Sequence, residues 1–461
     1  MTRTIAAILI LLCVWVTGCS HSFETIRDIR ELPQDHRSYL RADVAREDIL
    51  PAGDQAALQE RYNSAFFLPW HQDTSPYGRE DTQAFFRKYV KKVEAADGKK
   101  RGKRTFVRRL LTNARLTGYP NTGVRAITIR PADMRGLPTE RSFRSPGGRS
   151  SRPALSFDRL QVSFIPANTP VFISHLSRDR KWCLAETGYA IGWMMMRDLA
   201  VVDAAFVAKW EQGSYIAFVK DGTPIHDGRR HRFKATIGSL FPRLGEEGDV
   251  WEILVAVRGN RGRAVARHAR VPKSQAVRSP LSLNLPHIAA VANEFVGYPY
   301  GWGGKGGKRD CSSMIRDLFA PFGIWLPRHS TDQALEGGCY VDLAGQGRQE
   351  KQAAIMDRGV PYLTLLWVKG HIMLYVGTIE DEPLVFHSFW SVKTADAAGR
   401  VGRKVIGRAA ITTLHPGREF QGTEPVTGDL LDALQGMTIL VRPAWSTVRQ
   451  THGKLQADLK P

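Results

Sequence analysis

The chain has 461 residues, which is too long for one hydrophobic core and indicates about three domains. Its hydrophobic content of 43% is ordinary for a globular protein, whereas its formal net charge of +20 is not. A positive surplus of this size favours anionic partners, namely nucleic acid, acidic membrane surfaces or anionic wall polymers.

The first 18 residues form a leader. Arg3 precedes an apolar run over residues 5–16, and Cys19 follows Thr17 and Gly18. A charged start, a short apolar run and small residues before a cleavage point are typical of a signal peptide. The segment resembles a bacterial lipoprotein signal, which implies that Cys19 is lipidated and becomes the mature N-terminus. A plain secretory signal or an uncleaved helix is the alternative, although the run is short for a membrane span.

The leader also predicts a location. No later run approaches the roughly 20 apolar residues of a membrane helix, so we expect the mature chain to be tethered to a membrane by Cys19 rather than embedded in it. By the same resemblance, Ser20 after the lipidated cysteine predicts the periplasmic face of the outer membrane if the host is Gram-negative. Nucleic acid does not fit this location as a partner, and we expect a monomer.

The five cysteines divide into two groups. Cys13 leaves with the leader and Cys19 carries the lipid, so Cys183, Cys311 and Cys339 remain. An odd number in an oxidising compartment implies at least one free thiol, and a Cys183–Cys339 disulfide is possible but not required. No CxxC pair and no clustered Cys/His spacing occurs, so we expect no metal site.

Changes in the sequence pattern divide the mature chain into four parts. Residues 19–118 are mainly helical in pattern, and from residue 119 the chain changes to short β-prone pieces between turn residues, which is typical of small all-β domains. The piece from Trp182 to Trp193 resembles the late strands of bacterial SH3-like domains. We therefore predict an α+β multidomain protein with an N-terminal helical region, two small SH3-like β-barrels over 119–208 and 209–283, and a catalytic domain over 284–461.

The last segment, residues 284–461, contains the candidate catalytic residues. Cys311 stands between a glycine-rich basic approach, Gly301–Arg309, and a hydrophobic run that predicts a helix. A thiol at a helix N-terminus beside cations is expected to have a lowered pKa. Downstream, His371 and His387 lie in strand-like runs, where the first can act as a base and the second can orient it. A buried structural role is the alternative for each of the three residues.

The order of motifs in this segment resembles the NlpC family of papain-like cell-wall cysteine peptidases. The motifs are GYPYGWGG at 297–304, DCSS at 310–313, LPRHS-x-x-Q at 326–333, GHIMLYVG at 370–377 and VFHSFW at 385–390. With the SH3-like segments upstream, the whole chain resembles the γ-D-glutamyl-L-diamino acid endopeptidases. This implies a papain-like α+β catalytic domain with Cys311 as nucleophile, His371 as base in a thiolate–imidazolium pair, and His387 as the orienting residue.

The same resemblance implies a substrate site. Asp310, Ser312 and Ser330 match positions that hold the free α-amine of an N-terminal L-Ala. Asp310 has an alternative role as the N-cap of the catalytic helix, which is worth about 1 kcal/mol. Tyr189 is the best match for a tyrosine that reaches the groove from the first barrel, although its spacing to the following Gly192-Trp193 is looser than in the family.

The predicted function is hydrolysis of the bond between γ-D-Glu and diaminopimelate in peptidoglycan stem peptides, through a thioester on Cys311 and without a metal or organic cofactor. Two alternatives stay open. One keeps the same catalytic residues but acts as an amidase, a transpeptidase or a lysin of intact peptidoglycan. The other is a wall-binding lipoprotein without catalytic activity.

Overall fold

The computed structural model describes residues 25–40, 48–95, 101–143, 157–395, 400–420 and 429–443. The leader and the predicted lipidation site Cys19 lie outside these residues. No helix within the described ranges is long and apolar enough to cross a membrane. The α+β multidomain class is confirmed, with a helical region first, two small β domains next and a mixed domain last.

The N-terminal region is helical, as predicted. Its helices are α1 (Arg27–Glu31), α2 (Ala52–His71), α3 (Arg79–Ala95) and α4 (Arg101–Ala114). Tyr62, Phe66 and Trp70 recur every four residues along α2, so they share one face, and all three are buried. The Trp70 indole N–H donates to the Ala126 carbonyl at 2.7 Å. Helix α2 is therefore fixed to the first β domain.

The first β domain is one antiparallel sheet in the order β3-β2-β6-β5-β4-β1-β7. Its strands are β1 (Val124–Thr128), β2 (Ala132–Arg135), β3 (Gln161–Ile165), β4 (Pro170–Leu176), β5 (Trp182–Glu186), β6 (Ile191–Met195) and β7 (Leu199–Val201). Trp193 is fully buried in the core. A Cβ at Gly192 would lie 2.5 Å from the Met134 side chain, so close packing requires glycine before this tryptophan.

The predicted barrel is not closed, because the edge strands β3 and β7 do not pair with each other in the described part of the chain. Exposed strand edges need cover, and neighbouring domains supply it. The glycine loop before the catalytic helix packs on β3, where the Gln161 side chain donates to the Gly303 carbonyl at 3.3 Å. At the other edge, Val201 forms a bridge to Arg263 of the second β domain.

The second β domain follows the short helix α5 (Ala204–Trp210). It consists of a five-stranded sheet in the order β13-β12-β11-β8-β14 and a separate β10-β9 hairpin, both open. The strands are β8 (Tyr215–Phe218), β9 (Thr223–Asp227), β10 (Arg230–Ala235), β11 (Leu240–Glu247), β12 (Val250–Arg258), β13 (Ala264–Pro272) and β14 (Ala276–Ser279). Asp221 of this domain forms an ion pair with Arg309 just before the catalytic helix.

The C-terminal domain packs helices against a six-stranded antiparallel sheet in the order β15-β20-β16-β17-β18-β19. Its helices are α6 (Leu285–Asn293), α7 (Cys311–Phe319), α8 (Ser330–Glu336), α9 (Arg348–Arg358) and α10 (Leu430–Ala433). Its strands are β15 (Cys339–Asp342), β16 (Thr364–Val368), β17 (His371–Ile379), β18 (Glu382–Ala395), β19 (Val401–Thr413) and β20 (Leu434–Ile439). Helix α7 lies on β17 and β18, so its N-terminus faces the two predicted histidines.

Candidate active site

Cys311 is the first residue of α7 and is 7% exposed. Asp310 caps the helix: its Oδ1 accepts from the Ser313 backbone N–H at 2.9 Å, while the Ser313 hydroxyl oxygen accepts from the Asp310 N–H at 3.0 Å. This reciprocal capping box fixes the start of the helix. The Cys311 sulfur lies where the backbone N–H groups of Ile372 and Ser312 reach it, so the thiol stands beside the start of β17.

The two histidines meet on adjacent strands. Antiparallel pairing of β17 with β18 places Leu374 opposite Phe386, which brings the ring centroids of His371 and His387 to 5.0 Å. Nε2 of His371 and Nδ1 of His387 are 2.7 Å apart, and the His387 ring stacks on Phe389 with a centroid distance of 4.1 Å. Because Nε2 of His371 is used in this contact, Nδ1 is the nitrogen left for the thiol.

The charge state of the pair at rest differs from the sequence prediction. Burial and the charge of Asp310 raise the pKa of Cys311 to about 12, and burial lowers the pKa of His371 to about 4. The pKa of His387 also lies well below its usual value, because its ring is buried and stands beside His371. The prediction of a lowered thiol pKa is therefore wrong, and both partners are neutral at pH 7.

Two cations of the basic approach, which the sequence analysis expected to favour the thiolate, are paired with carboxylates and do not offset this burial. Lys305 forms an ion pair with Asp133 of the first β domain at 2.5 Å. Arg309 is buried between Asp221 and Asp317. Ion pairing cancels much of the positive potential that the basic approach would otherwise apply to the thiol.

Asp310 is the centre of a second buried cluster. Arg328 binds both of its oxygens, Nη1 to Oδ1 at 3.1 Å and Nη2 to Oδ2 at 2.8 Å, and also donates to the Ser312 hydroxyl at 3.0 Å. Burial alone would raise the pKa of Asp310, but Arg328 and Ser313 more than offset it and lower the pKa to about 2. Asp310 and Ser312 are thus brought together next to Cys311, with Asp310 ionised.

This carboxylate has no free acceptor position in the described structure. It accepts six hydrogen bonds, from Arg328 twice, Ser313 twice, the Gly303 N–H and the Ser312 hydroxyl. A carboxylate offers about four lone-pair positions. The bond from the Ser312 hydroxyl is the longest at 3.4 Å.

The first β domain completes the wall behind Asp310. Arg328 Nε donates to the Ser163 hydroxyl of β3 at 2.8 Å, across 165 positions of sequence. The Gln161 side chain spans from Asp133, at 2.8 Å, to the Gly303 carbonyl. The first β domain therefore contacts the catalytic loop through polar side chains that the sequence patterns did not single out.

The structure places Tyr189 and Ser330 apart from this cluster. The Tyr189 ring stacks on the Arg316 guanidinium at 4.0 Å and packs near Trp325. Arg316 lies on α7, more than one turn beyond Cys311. Ser330 begins α8, and no hydrogen bond joins its side chain to Asp310 or Ser312 among the described contacts.

An aromatic group that the sequence analysis did not identify lies beside the nucleophile. Burial is the main cause of the raised pKa of the Tyr300 hydroxyl, which also lies close enough to Cys311 and Asp310 for a negative charge on either to raise it further. Phe157 stacks on Trp302 with a centroid distance of 5.2 Å, and Trp302 is 43% exposed. The alternation Tyr298-Pro299-Tyr300-Gly301-Trp302 was the available signal.

The described residues contain neither a cluster of metal ligands nor a disulfide. No group of His, Cys, Asp and Glu side chains in the described ranges could hold a metal ion. Cys183, Cys311 and Cys339 are all free thiols, with Cys183 buried and Cys339 exposed. The Cys183–Cys339 disulfide that the sequence left open is not formed.

Comparison with family models divides the chain in the same order as the fold. Residues 297–395 match the NlpC/P60 family, and residues 5–119 match the N-terminal stabilising domain found with it. Residues 141–195 match an SH3 domain of SH3b1 type, and residues 203–247 match an SH3 domain of SH3b2 type. None of the curated proteins compared matches the chain.

One solved structure shows a similar arrangement. The chain is similar to a novel NlpC/P60 endopeptidase from Photobacterium damselae subsp. piscicida, at 24% identity over 89% of this chain and 98% of that chain, with a TM-score of 0.77. An NlpC/P60 family protein from Bacillus cereus ATCC 10987 matches at 15% identity over 68% of this chain and 98% of that chain, with a TM-score of 0.44. The first likeness shows a shared fold, and the second is too low to support an argument.

Proposed function

The chain belongs to the NlpC/P60 family, whose members are generally cysteine peptidases that hydrolyse peptidoglycan, and we propose that it cleaves the bond between γ-D-Glu and the diamino acid of stem peptides. The observation that supports the proposal is that the Ile372 N–H, next to His371, reaches the Cys311 sulfur at the start of α7, while the rings of His371 and His387 are in contact. A thiol, a neutral imidazole and an orienting group in this order are what nucleophilic acyl transfer requires.

The reaction begins with proton transfer. The Cys311 thiol gives its proton to Nδ1 of His371 as the sulfur attacks the γ-carbonyl carbon of D-Glu. The oxyanion formed there can accept from the Cys311 backbone N–H, because a first-turn N–H has no partner within its helix. The His371 imidazolium then protonates the departing amine of the diamino acid, which leaves a thioester on Cys311.

The thioester is resolved by water. Neutral His371 takes a proton from the water as its oxygen attacks the thioester carbonyl, and the thiol is restored when the carbon–sulfur bond breaks. The products are a peptide that ends in a free γ-carboxylate and a peptide that begins with the diamino acid. Every proton in this cycle moves through His371, so no cofactor is required.

We propose in addition that the enzyme favours substrates with a free N-terminal L-Ala. The support is the buried, ionised Asp310 beside the nucleophile. Because its acceptor positions are filled, the substrate ammonium would replace the weakest donor, the Ser312 hydroxyl, while Arg328 stays bound. Ser312 could then accept from the same ammonium, which gives both predicted residues a role.

The test is product analysis on three substrates: L-Ala-γ-D-Glu-diaminopimelate, its N-acetylated form and intact sacculi. We expect L-Ala-γ-D-Glu and diaminopimelate from the first. Release of whole stem peptides from sugar would identify an amidase, and new cross-links would identify a transpeptidase. Cys311→Ala should abolish cleavage, whereas Cys339→Ser, which alters an exposed free thiol on β15, should not. Equal rates on all three substrates would refute the amine preference.

We also propose that the mature protein is a monomer held to a membrane by a lipid on Cys19 and that, in a Gram-negative host, it lies at the periplasmic face of the outer membrane. The support is the leader sequence, which ends in Val16-Thr17-Gly18 before that cysteine. Incorporation of a labelled fatty acid into the wild type but not into Cys19→Ser would support the anchor. Release of an unlabelled wild-type protein in soluble form would contradict it.

A further inference from the structure

Thr412 lies directly behind the second histidine. Its side chain is on β19, is fully buried, and places Oγ1 at 3.0 Å from Nε2 of His387. The same hydroxyl is 2.7 Å from the backbone carbonyl of Thr413. A carbonyl oxygen can only accept, and a threonine hydroxyl has a single proton to give. That proton goes to Thr413, so Oγ1 must accept from His387.

This assignment fixes the tautomers of both histidine rings. A neutral imidazole has one N–H and one unprotonated nitrogen. With its proton on Nε2, His387 can only accept at Nδ1, so the proton between the rings belongs to Nε2 of His371. His371 then carries its lone pair on Nδ1, the ring nitrogen that His387 does not use. The reverse orientation would put a proton on Nδ1 and remove the acceptor.

We propose that Thr412 is a positioning residue that sets the tautomers of both histidines and thereby leaves Nδ1 of His371 free to take the thiol proton. Only the effect of Thr412 on catalysis rests on the proposed function. The tautomers themselves follow from the contacts of Thr412. Since neither histidine is charged at pH 7, tautomer choice decides whether the base can work at all.

The N-terminal segment over residues 25–40 holds Thr412 in place from outside. β19 is the edge strand of the sheet, so its outer backbone groups need partners. The Gln34 amide pairs with both the N–H and the carbonyl of Ile411, at 2.9 and 3.0 Å. Asp28 accepts from the N–H and the hydroxyl of Thr413, at 2.7 and 2.9 Å. The residues on both sides of Thr412 are thus clamped.

The test compares Thr412→Val, which keeps the shape but loses the hydroxyl, with Thr412→Ser, which restores it. We expect the valine variant to lose kcat roughly 10- to 100-fold with little change in KM, as is usual when a group that orients a histidine is removed. The serine variant should recover most of the loss. Thr413→Val is the matched control, because it removes a neighbouring hydroxyl that bonds Asp28 and not His387, while the backbone N–H of residue 413 keeps its bond to Asp28.

Nitrogen NMR of histidine-labelled protein supplies a readout apart from activity. In the wild type, both rings should carry their proton on Nε2, and in Thr412→Val a population with the proton on Nδ1 of His387 should appear. Unchanged tautomers in the valine variant, or an equal loss of kcat in Thr413→Val, would overturn the proposal. A wild type that cleaves no muropeptide would refute the proposed function, while the tautomers would still decide the role of Thr412.

Discussion

Loss of Arg328 should destabilise the protein by leaving a buried carboxylate without its cation. Arg328 is 3% exposed and Asp310 is 8% exposed. The fall in the pKa of Asp310 from 3.8 to about 2 corresponds to about 2 kcal/mol in favour of the charged form. Removing one partner of a buried pair typically costs about 3–5 kcal/mol. Because Asp310 keeps its bonds from Ser313 and Gly303, we expect Arg328→Met to lower the free energy of unfolding by about 3 kcal/mol.

The assay is a double-mutant cycle measured by urea denaturation. Asp310→Asn keeps a good N-cap but removes the charge, and the coupling between it and Arg328→Met should be about 2 kcal/mol at pH 7. Since the folded pKa of Asp310 lies below its unfolded value, this contribution is present above pH 3.8 and is lost as the pH falls through 2. A coupling below about 0.5 kcal/mol would refute the reasoning, because it would mean that the two charges are effectively independent.

Two further predictions concern the resting catalytic pair. Because the pKa of Cys311 is raised to about 12, alkylation by iodoacetamide at neutral pH should label the exposed Cys339 first, and labelling of Cys311 should accelerate as the pH rises above 9. Rapid labelling of Cys311 at pH 7, mapped by mass spectrometry, would contradict this. Because His371 must be neutral and its pKa is about 4, kcat/KM should fall as the pH drops toward 4. Between pH 6.5 and 4 the unfolded histidine binds a proton that the folded one does not, so the free energy of unfolding also decreases as the pH falls. Circular dichroism must therefore show that the protein is still folded at the pH where its activity is lost.

The proximity of the candidate catalytic residues was predictable because each belongs to a short local pattern. The capping box joins Asp310 to Ser313 within one turn, so the sequence around Cys311 already predicts a helix start. His371 and His387 lie on strands that are consecutive in the chain, and consecutive antiparallel strands usually pair. Local rules and a short connection were sufficient to bring these side chains together.

The surroundings of the site were not predictable because they depend on distant partners. The Ser163–Arg328 contact and the Asp221–Arg309 ion pair each join two domains. No local pattern shows which carboxylate will neutralise which cation, so the sign of the pKa shift at Cys311 could not be derived from nearby charges. Thr412 likewise lies in an ordinary strand sequence, and its position behind His387 follows from the register of β18 with β19.

Whether the predicted barrels close could not be derived from the sequence, for a related reason. Alternating β-prone pieces predict strands and turns, but they do not say whether the first and last strands meet. Here the edges of the first sheet are covered by a catalytic loop and by the second β domain.

If Asp310 binds the substrate ammonium as proposed, it connects substrate recognition to the reactivity of the thiol. Burial is the main cause of the raised pKa of Cys311, and the negative charge of Asp310 is the second cause. A substrate ammonium bound to Asp310 in place of the Ser312 hydroxyl would offset part of that charge and favour transfer of the thiol proton to His371. An amine that only anchors the substrate should change KM, whereas an amine that also activates Cys311 should change kcat. The N-acetylated peptide is therefore expected to lose kcat as well as affinity, and a loss confined to KM would reduce Asp310 to an anchor.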